Sequence, residues 1–420
     1  MPTDSSTSRV LKFGGAALSD GAAIRRACEI VGDHGGAHPI VVVSALEGVT
    51  EGLEELARGG GDIRPLRIRH RSLLHQLELS SELLDSFFRE LGGVLVGLRE
   101  GVELGPITRD HLLSFGERMS ARIVAGALRA KGFSACPVDA HDLGMVTTKS
   151  SGEARLYSSA VAKIRAAIRE VPGIPVVTGF LAADEQGNLT TLGRNGSDLT
   201  ALFIGEAVAA DEVQLWKCVA GIQTADPRLV PDAETIAEIG YDDALEIARH
   251  GARVIHRGAV LAARRAKLAV SLRDVRNPDS PGTRLVAEPS ADCPLVLVHR
   301  DGVLFANVKT ESSSELEAEL AELDEFSLIR ADGNRAQLIA SDTTQIRELL
   351  EAHGAEMSRK LASITPVGSG AKSDQDLHNH LRSAGIELRA LGETILVPSA
   401  TLKESLIALR EGVLPNPVQL

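Results

Sequence analysis

In "RVLKFGGAAL" a lysine, Lys12, closes an apolar run and is followed by Phe13, Gly14 and Gly15. A cation beside two glycines suits a bulky anion such as phosphate, because glycine lets the backbone come within van der Waals distance of a ligand. The order matches neither common phosphate loop: the P-loop places its lysine after the last glycine, and the dinucleotide fingerprint needs a third glycine. A second candidate anion site lies in "TTLGRNGSDLTALFIGEA", where Arg194 sits between glycines just ahead of Ser197, Asp198 and an apolar helical pattern. A guanidinium beside the free N–H groups of a helix start can hold a carboxylate or phosphate. Ser197 and Asp198 read equally well as the cap of that helix.

Other groups are open to two readings. Glu117, near the start of the helical run "LLSFGERMSARIVAGAL", is either an acid favoured by the helix dipole or a partner for a small-molecule ammonium. Ser44 and Thr50 in "SALEGVTEGL" follow a very apolar strand, at the end where open α/β sheets bind ligands, or else form an ordinary strand-end turn and cap. "GIQTADPRLVPDA" brings Thr224, Asp226 and Arg228 into an irregular segment that an Asp-Pro turn also explains. "RHGARVIHRGAV" offers Arg253 and His256, the latter reading as a packed histidine.

These groups need elements to position them. Short β-rich runs alternate with helical patterns through the first part of the chain, which predicts a parallel sheet covered by helices. "RVLKF", "PIVVVSAL", "GIPVVTGFLAAD" and "EVQLWKCV" read as strands, "DGAAIRRACEIVGDH" as a helix capped by Asp20, and residues 72–128 and 241–266 as mainly helical. A linker-like cluster of Pro, Ser and Gly spans 277–294. Beyond it "VLFANV", "SSSELEAELAEL", "FSLIRADGNRAQLIAS" and "TTQIRELLEAHG" give the order β-α-β-β-α, which starts over in "KLASITPVGSG", "SDQDLHNHLRSAG", "IELRALGETILVPS" and "TLKESLIALREG".

At 420 residues the chain has room for two or three domains. A hydrophobic fraction of 44% and a charged fraction of 24% are those of a globular protein, and with only 3% aromatics its cores must be aliphatic. A net charge of −12 argues against nucleic acid as a partner while leaving room for a cationic pocket. The four cysteines are scattered, without the close pairs of a zinc site or a disulfide framework. No apolar stretch is long enough to span a membrane and the first residues lack a signal-peptide pattern, so a cytoplasmic protein is expected.

Taken in order, "KFGG", "VVSA" with Thr50, "SFGE", "VVTGF", "TTLGRNGSD", "TADPRLVPDA" and "GARVIH" resemble aspartate kinases of the amino-acid-kinase family over residues 9 to 285. The remainder is similar to their tandem ACT modules. The resemblance implies a three-layer α/β/α amino-acid-kinase fold with a mainly parallel central sheet over residues 1–285. Two α+β ferredoxin-like ACT modules would follow over 294–420, near 294–360 and 361–420 or interleaved.

It also implies transfer of the γ-phosphoryl group of Mg-ATP to the β-carboxylate of L-aspartate, in a homo-oligomer with an amino-acid effector such as lysine or threonine. Lys12 would face the phosphoryl group and Asp198 would organise that lysine. Arg194 and Glu117 would take the substrate's α-carboxylate and ammonium, with Ser44, Thr50 and Ser197 completing that pocket. Phe13, Gly14, Gly15, Lys217, Cys218, Thr224, Asp226, Arg228 and Arg253 would border the nucleotide, and no side chain is assigned to a metal.

Some positions depart from the family pattern. "WKCVAG" puts Lys217 and Cys218 where a hydroxyl residue and an aspartate are usual; Ala16 replaces a threonine, Arg253 a lysine and Arg257 a proline. From the residues alone, a catalytically weak amino-acid-sensing homologue and a kinase of another amino-acid carboxylate remain open beside the aspartate kinase.

Overall fold

The computed structural model describes residues 8–34, 39–59, 61–147, 156–193, 195–251, 254–309, 316, 319–320, 327–332, 335–368, 374–391 and 393–413. The chain divides into two compact units, residues 1–221 with 258–287, and residues 222–257 with 288–420.

The first unit is built on strands β1 (Arg9–Phe13), β2 (Ile40–Val43), β3 (Ala135–Val138), β4 (Ile174–Thr178), β7 (Glu212–Lys217), β9 (Val270–Asp274) and β10 (Thr283–Val286). Their order across the sheet is β3-β4-β2-β1-β7-β9-β10. All neighbours run parallel except β10, which is antiparallel to β9. Central strands such as "IVVV" are apolar and buried throughout, as expected of a parallel sheet covered on both faces.

The helices are α1 (Gly21–Asp33), α2 (Val49–Ala57), α3 (Ile63–Gln76), α4 (Asp85–Arg99), α5 (Pro106–Ala130), α6 (Ser158–Glu170), α7 (Gly196–Val208) and α9 (Arg257–Ala266). Asp20 caps α1 as its sequence predicts, its Oδ1 accepting the Ala23 N–H at 2.9 Å. A hairpin of β5 (Leu181–Ala183) and β6 (Leu189–Thr191) leads into the turn before α7 and is tied to α5 where Thr191 donates to Asp110.

Register decides which side chains meet. Lys12 pairs with Val42 on one side and Leu215 on the other, and Phe13 with Trp216. Side chains alternate between faces along a strand, and directly paired residues share a face. Leu11, Phe13 and Trp216 therefore point one way, into the core formed with α1 and α5. Lys12 points the other way, and so does Lys217, two residues beyond Leu215. By the same parity Ser44 and Gly179, two beyond the paired Val42 and Val177, lie on the face of Lys12.

The second unit contains β8 (Glu238–Gly240), α8 (Tyr241–Arg249) and a six-stranded antiparallel sheet. The strands are β11 (Val296–Lys309), β12 (Ser327–Asp332), β13 (Arg335–Ser341), β14 (Glu356–Val367), β15 (Arg389–Leu391) and β16 (Thr394–Pro398), in the order β12-β13-β11-β14-β16-β15. The two α+β repeats read from the sequence are present but interleaved. β11 and β14 are long, and their register shifts between Arg300 and Val303.

The half of β11 from Val303 packs Leu304, Ala306 and Val308 with Leu338, Ile346 and Leu350, using helix Thr344–Ala352. Its earlier half packs Leu297 with Ile364, Leu381 and Leu406, using helices Asp374–Ser383 and Leu402–Val413. "KLASITPV" thus belongs to one continuous strand serving both cores, and "VLVHR", unassigned from sequence, is the missing partner strand. Most of "SSSELEAELAEL" lies outside the described residues.

Candidate active site

The site of the first unit lies at the carboxyl ends of β1, β2, β4 and β7, where α7 begins. Lys12 Nζ is 2.6 Å from Asp198 Oδ1, and Lys217 Nζ is 2.9 Å from Asp198 Oδ2. All three are withdrawn from solvent, with side-chain exposures of 7% for Lys12, 1% for Asp198 and 18% for Lys217. Asp198 is the third residue of α7 but caps nothing: the position before the helix is Asn195, in left-handed conformation and without a side-chain cap bond. Its carboxylate is spent on the two lysines. Burial opposes ionisation of Asp198, but the charges of Lys12 and Lys217 outweigh it and hold the carboxyl below its ordinary range. Burial likewise pulls Lys12 down, with Asp198 resisting and Lys217 adding to the drop.

Close backbone approaches make this convergence possible. A Cβ on Gly179 would lie 2.5 Å from Ser197 Cβ, so only glycine lets the first turn of α7 settle on the end of β4. A Cβ on Gly15 would lie 2.9 Å from the carbonyl oxygen of Ala45, so the second glycine after Lys12 is demanded by the neighbouring strand's exit. Gly14 places its own Cβ position 3.5 Å from Lys12 Nζ and donates its N–H to the Trp216 carbonyl at 3.2 Å.

Glu117 is buried in α5 and accepts the Ala45 N–H at 2.9 Å through Oε1, while Oε2 has no hydrogen-bond partner among the described residues. Burial pushes its carboxyl up to about 8; the Ala45 bond and the charge of Lys12 pull the other way without prevailing. Ser44, whose N–H donates to the Phe13 carbonyl at 3.1 Å, and Thr50 in the first turn of α2 are half-buried. Ser197 is buried.

Other sequence candidates fall elsewhere. The Phe13 ring is fully buried against Trp216, with centroids 6.3 Å apart, so Phe13 has only backbone to offer a ligand. Cys218 follows Lys217 at the end of β7; burial raises its thiol, and its carbonyl accepts a bond from Arg276. Thr224, Asp226 and Arg228 belong to the second unit. There Thr224 Oγ1 accepts the Glu234 N–H, and Asp226 pairs with the exposed Arg228 at 2.6 Å, closing the turn that Asp-Pro begins. Arg194 and Arg253 lie outside the described residues.

Sequence reasoning missed Gly179 and the Ala45 N–H. The available signal was a glycine closing the buried strand "VVTGF", opposite the small-residue exit "SAL" of β2.

The described residues give no carboxylate set for a magnesium ion at this site. Asp198 is occupied by two lysines, and Glu117 favours its neutral form. The one described cluster with metal-ligand spacing, Asp139, His141 and Asp142, commits Asp139 to Arg122 and Arg118.

The first unit is an open, mainly parallel α/β sheet whose carboxyl edge carries buried lysines beside a helix start, an arrangement able to receive an anion. The chain belongs to the amino acid kinase family, whose model matches residues 8–274. It is similar to chloroplastic aspartokinase 1 of Arabidopsis thaliana, 32% identical over 290 residues that make up 65% of this chain and 51% of that protein. Lysine-sensitive aspartokinase 3 of Escherichia coli is 34% identical over 298 residues, covering 68% of this chain and 65% of that one. The match thus spans about half the length of the Arabidopsis relative. The fold is that of a solved structure of E. coli aspartokinase III in complex with aspartate and ADP, with a TM-score of 0.79 at 24% identity, covering 96% of this chain and 99% of the other. No helix among the described residues is long and apolar enough to cross a membrane.

Proposed function

We propose that the protein is an aspartate kinase that transfers the γ-phosphoryl group of Mg-ATP to the β-carboxylate of L-aspartate, giving 4-phospho-L-aspartate and ADP. The observation carrying this reading is the pairing of Lys12 with Asp198 at the start of α7, which holds a buried ammonium where the parallel strands end. A carboxylate is already ionised at neutral pH, so the reaction needs no general base. Its barrier is the approach of two anions, and catalysis consists of positioning them and neutralising the charge that builds between them.

Lys12 faces the transferring group in this reading, and Asp198 fixes its position. Glu117 receives the substrate ammonium, Arg194 its α-carboxylate, and Ser44, Thr50 and Ser197 border it. Gly14, Gly15, the backbone of Phe13 and Cys218 are assigned to the nucleotide side. Residues 1–285 make up the catalytic domain and 294–420 a regulatory region of two interleaved ACT modules. The related enzyme named lysine-sensitive makes lysine the first effector to try, ahead of threonine. A homo-oligomer in the cytoplasm, serving an aspartate-derived biosynthetic route, completes the proposal.

The test is ADP release coupled to formation of aspartyl hydroxamate when hydroxylamine is added. Activity that requires L-aspartate and is absent with other amino acids is expected. Nucleotide turnover indifferent to aspartate would refute the reading and leave a sensor or a kinase of another carboxylate.

A further inference from the structure

We propose that Asp110 is a positioning residue for the amino-acid side of this site: it fixes the β5–β6 hairpin, and through it the start of α7, relative to Glu117. For the identity of the substrate this rests on the aspartate-kinase reading. Asp110 lies in the second turn of α5, half-buried. Its Oδ2 accepts the Thr191 N–H at 3.1 Å and its Oδ1 accepts the Thr191 hydroxyl at 3.0 Å. Both oxygens of the carboxylate thus hold a single residue, the last of β6. Glu117 follows in the same helix two turns on and on the same face, about 10 Å along the axis.

The hairpin needs such an anchor. β5 and β6 have three residues each and form a two-stranded sheet, and a hairpin of that kind is marginal in water when left to itself. β5 is tied through Ala183, whose N–H donates to the Met145 carbonyl at 2.8 Å. At its other end β6 stands off α5 across a cavity of about 400 Å³ lined by Ile107, His111 and Leu189, so Thr191 is where the helix grips the strand.

The residue after Thr191 carries the effect inward. Leu192 donates its N–H to the Phe180 carbonyl at 2.8 Å. Phe180 centres a three-residue turn closed by the Leu181 N–H on the Gly179 carbonyl at 2.7 Å, and its φ is 65°. A bulky side chain seldom adopts that left-handed backbone, which persists only where the surroundings impose it. A Cβ on Gly196, the first residue of α7, would lie 2.8 Å from Leu192 Cβ and 2.9 Å from Phe180 Cδ2. Leu192, Phe180 and the helix start are therefore locked together, with Ser197 and Asp198 next in the chain and Arg194 between Leu192 and Gly196 in sequence.

A substrate held by its ammonium at Glu117 and bordered by the start of α7 tolerates little change in the spacing of the two, and a misplacement of about 1 Å costs on the order of 10² in rate. Asp110 joins them by a short route: its backbone belongs to the helix of Glu117, and its carboxylate holds the strand that leads into α7. The nucleotide side is built on β1 and β7 instead. Loss of Asp110 therefore shows in L-aspartate and not in ATP.

The test uses Asp110→Ala and Asp110→Asn in the full chain, with thermal melting to show that both fold. Asp110→Ala should raise KM for L-aspartate by about tenfold, the order expected when charge-assisted bonds are lost, and leave KM for ATP unchanged. Asp110→Asn keeps an oxygen for the Thr191 N–H and gives an N–H to its hydroxyl, so it should recover most of the loss. Thr191→Val removes only the hydroxyl bond; it should shift KM for aspartate less in the same direction, and it serves if Asp110→Ala does not fold. Hydrogen exchange followed by mass spectrometry is the second readout: Asp110→Ala should exchange faster over residues 189–199 and unchanged over β1 and β7. Equal losses for aspartate and ATP, no recovery in Asp110→Asn, or unchanged exchange over 189–199 would overturn the proposal. If the wild type yields no aspartyl hydroxamate, the aspartate reading falls by itself, and the exchange result still upholds or overturns the hold of Asp110 on the start of α7.

Discussion

Lys12 and Asp198, from the first strand and the seventh helix, meet at 2.6 Å, and the carboxylate that receives Lys12 also receives Lys217. One acid thus organises two cations, and removing the acid differs in kind from removing a base.

Lys12→Met should abolish turnover, by 10³-fold or more on the order expected for a group that stabilises transferring charge. The variant should keep its melting temperature or gain slightly, because Asp198 retains Lys217 and one buried charge is gone. Coupled ADP release together with a thermal melt checks both halves. Wild-type turnover would exclude Lys12 from the chemistry.

Asp198→Ala removes the carboxylate that receives both ammoniums. Breaking a buried pair from one side typically costs about 3–5 kcal/mol. A marked fall in thermal stability is expected for Asp198→Ala, in contrast to Lys12→Met. The double variant Asp198→Ala/Lys12→Met should recover part of the loss. If the two single variants melt alike, the shared-carboxylate account is wrong.

Much of this arrangement was legible in the sequence. A lysine ending an apolar run and an aspartate at the start of an apolar helix could be picked out by type and spacing. What the sequence could not show was that they meet, since that depends on strand order and register: β1 lies between β2 and β7, and parity then sends Lys12, Ser44 and Lys217 to one face. Reading Asp198 as a cap failed because capping is local, whereas its partners come from two strands distant in the chain. The interleaving of the C-terminal repeats was hidden for a related reason. A long strand with a register shift looks in sequence like two separate apolar runs, "VLVHR" and "VLFANV".

Gly179→Ala should disrupt the site without touching any charged group. Its new Cβ would lie 2.5 Å from Ser197 Cβ, inside contact distance of a buried residue, so either β4 or the first turn of α7 must shift. Overpacking of this kind costs about 1–3 kcal/mol. The expected result is a lower melting temperature and a severe loss of turnover, because the start of α7 fixes Asp198. A fully active alanine variant would mean that the approach of helix and strand relaxes without moving Asp198.

Glu117 gives a prediction in pH. Its carboxyl, pushed up to about 8 by burial, holds a proton in the folded protein at pH 7, where an unfolded glutamate near its ordinary value of 4.5 has released it. The folded state thus binds more protons between about pH 4.5 and 8, and this group's contribution to stability declines as pH rises through that window. Glu117→Gln cannot ionise and should lose that slope, so its melting temperature should gain on the wild type from pH 5 to pH 8. A substrate ammonium placed against Glu117 favours the charged form, so binding L-aspartate should expel a proton at pH 7 and tighten as pH approaches 8. Calorimetry in buffers of different ionisation enthalpy measures that proton directly. Glu117→Gln should bind aspartate more weakly and release none. Equal proton release from both proteins would show that the ammonium is held elsewhere.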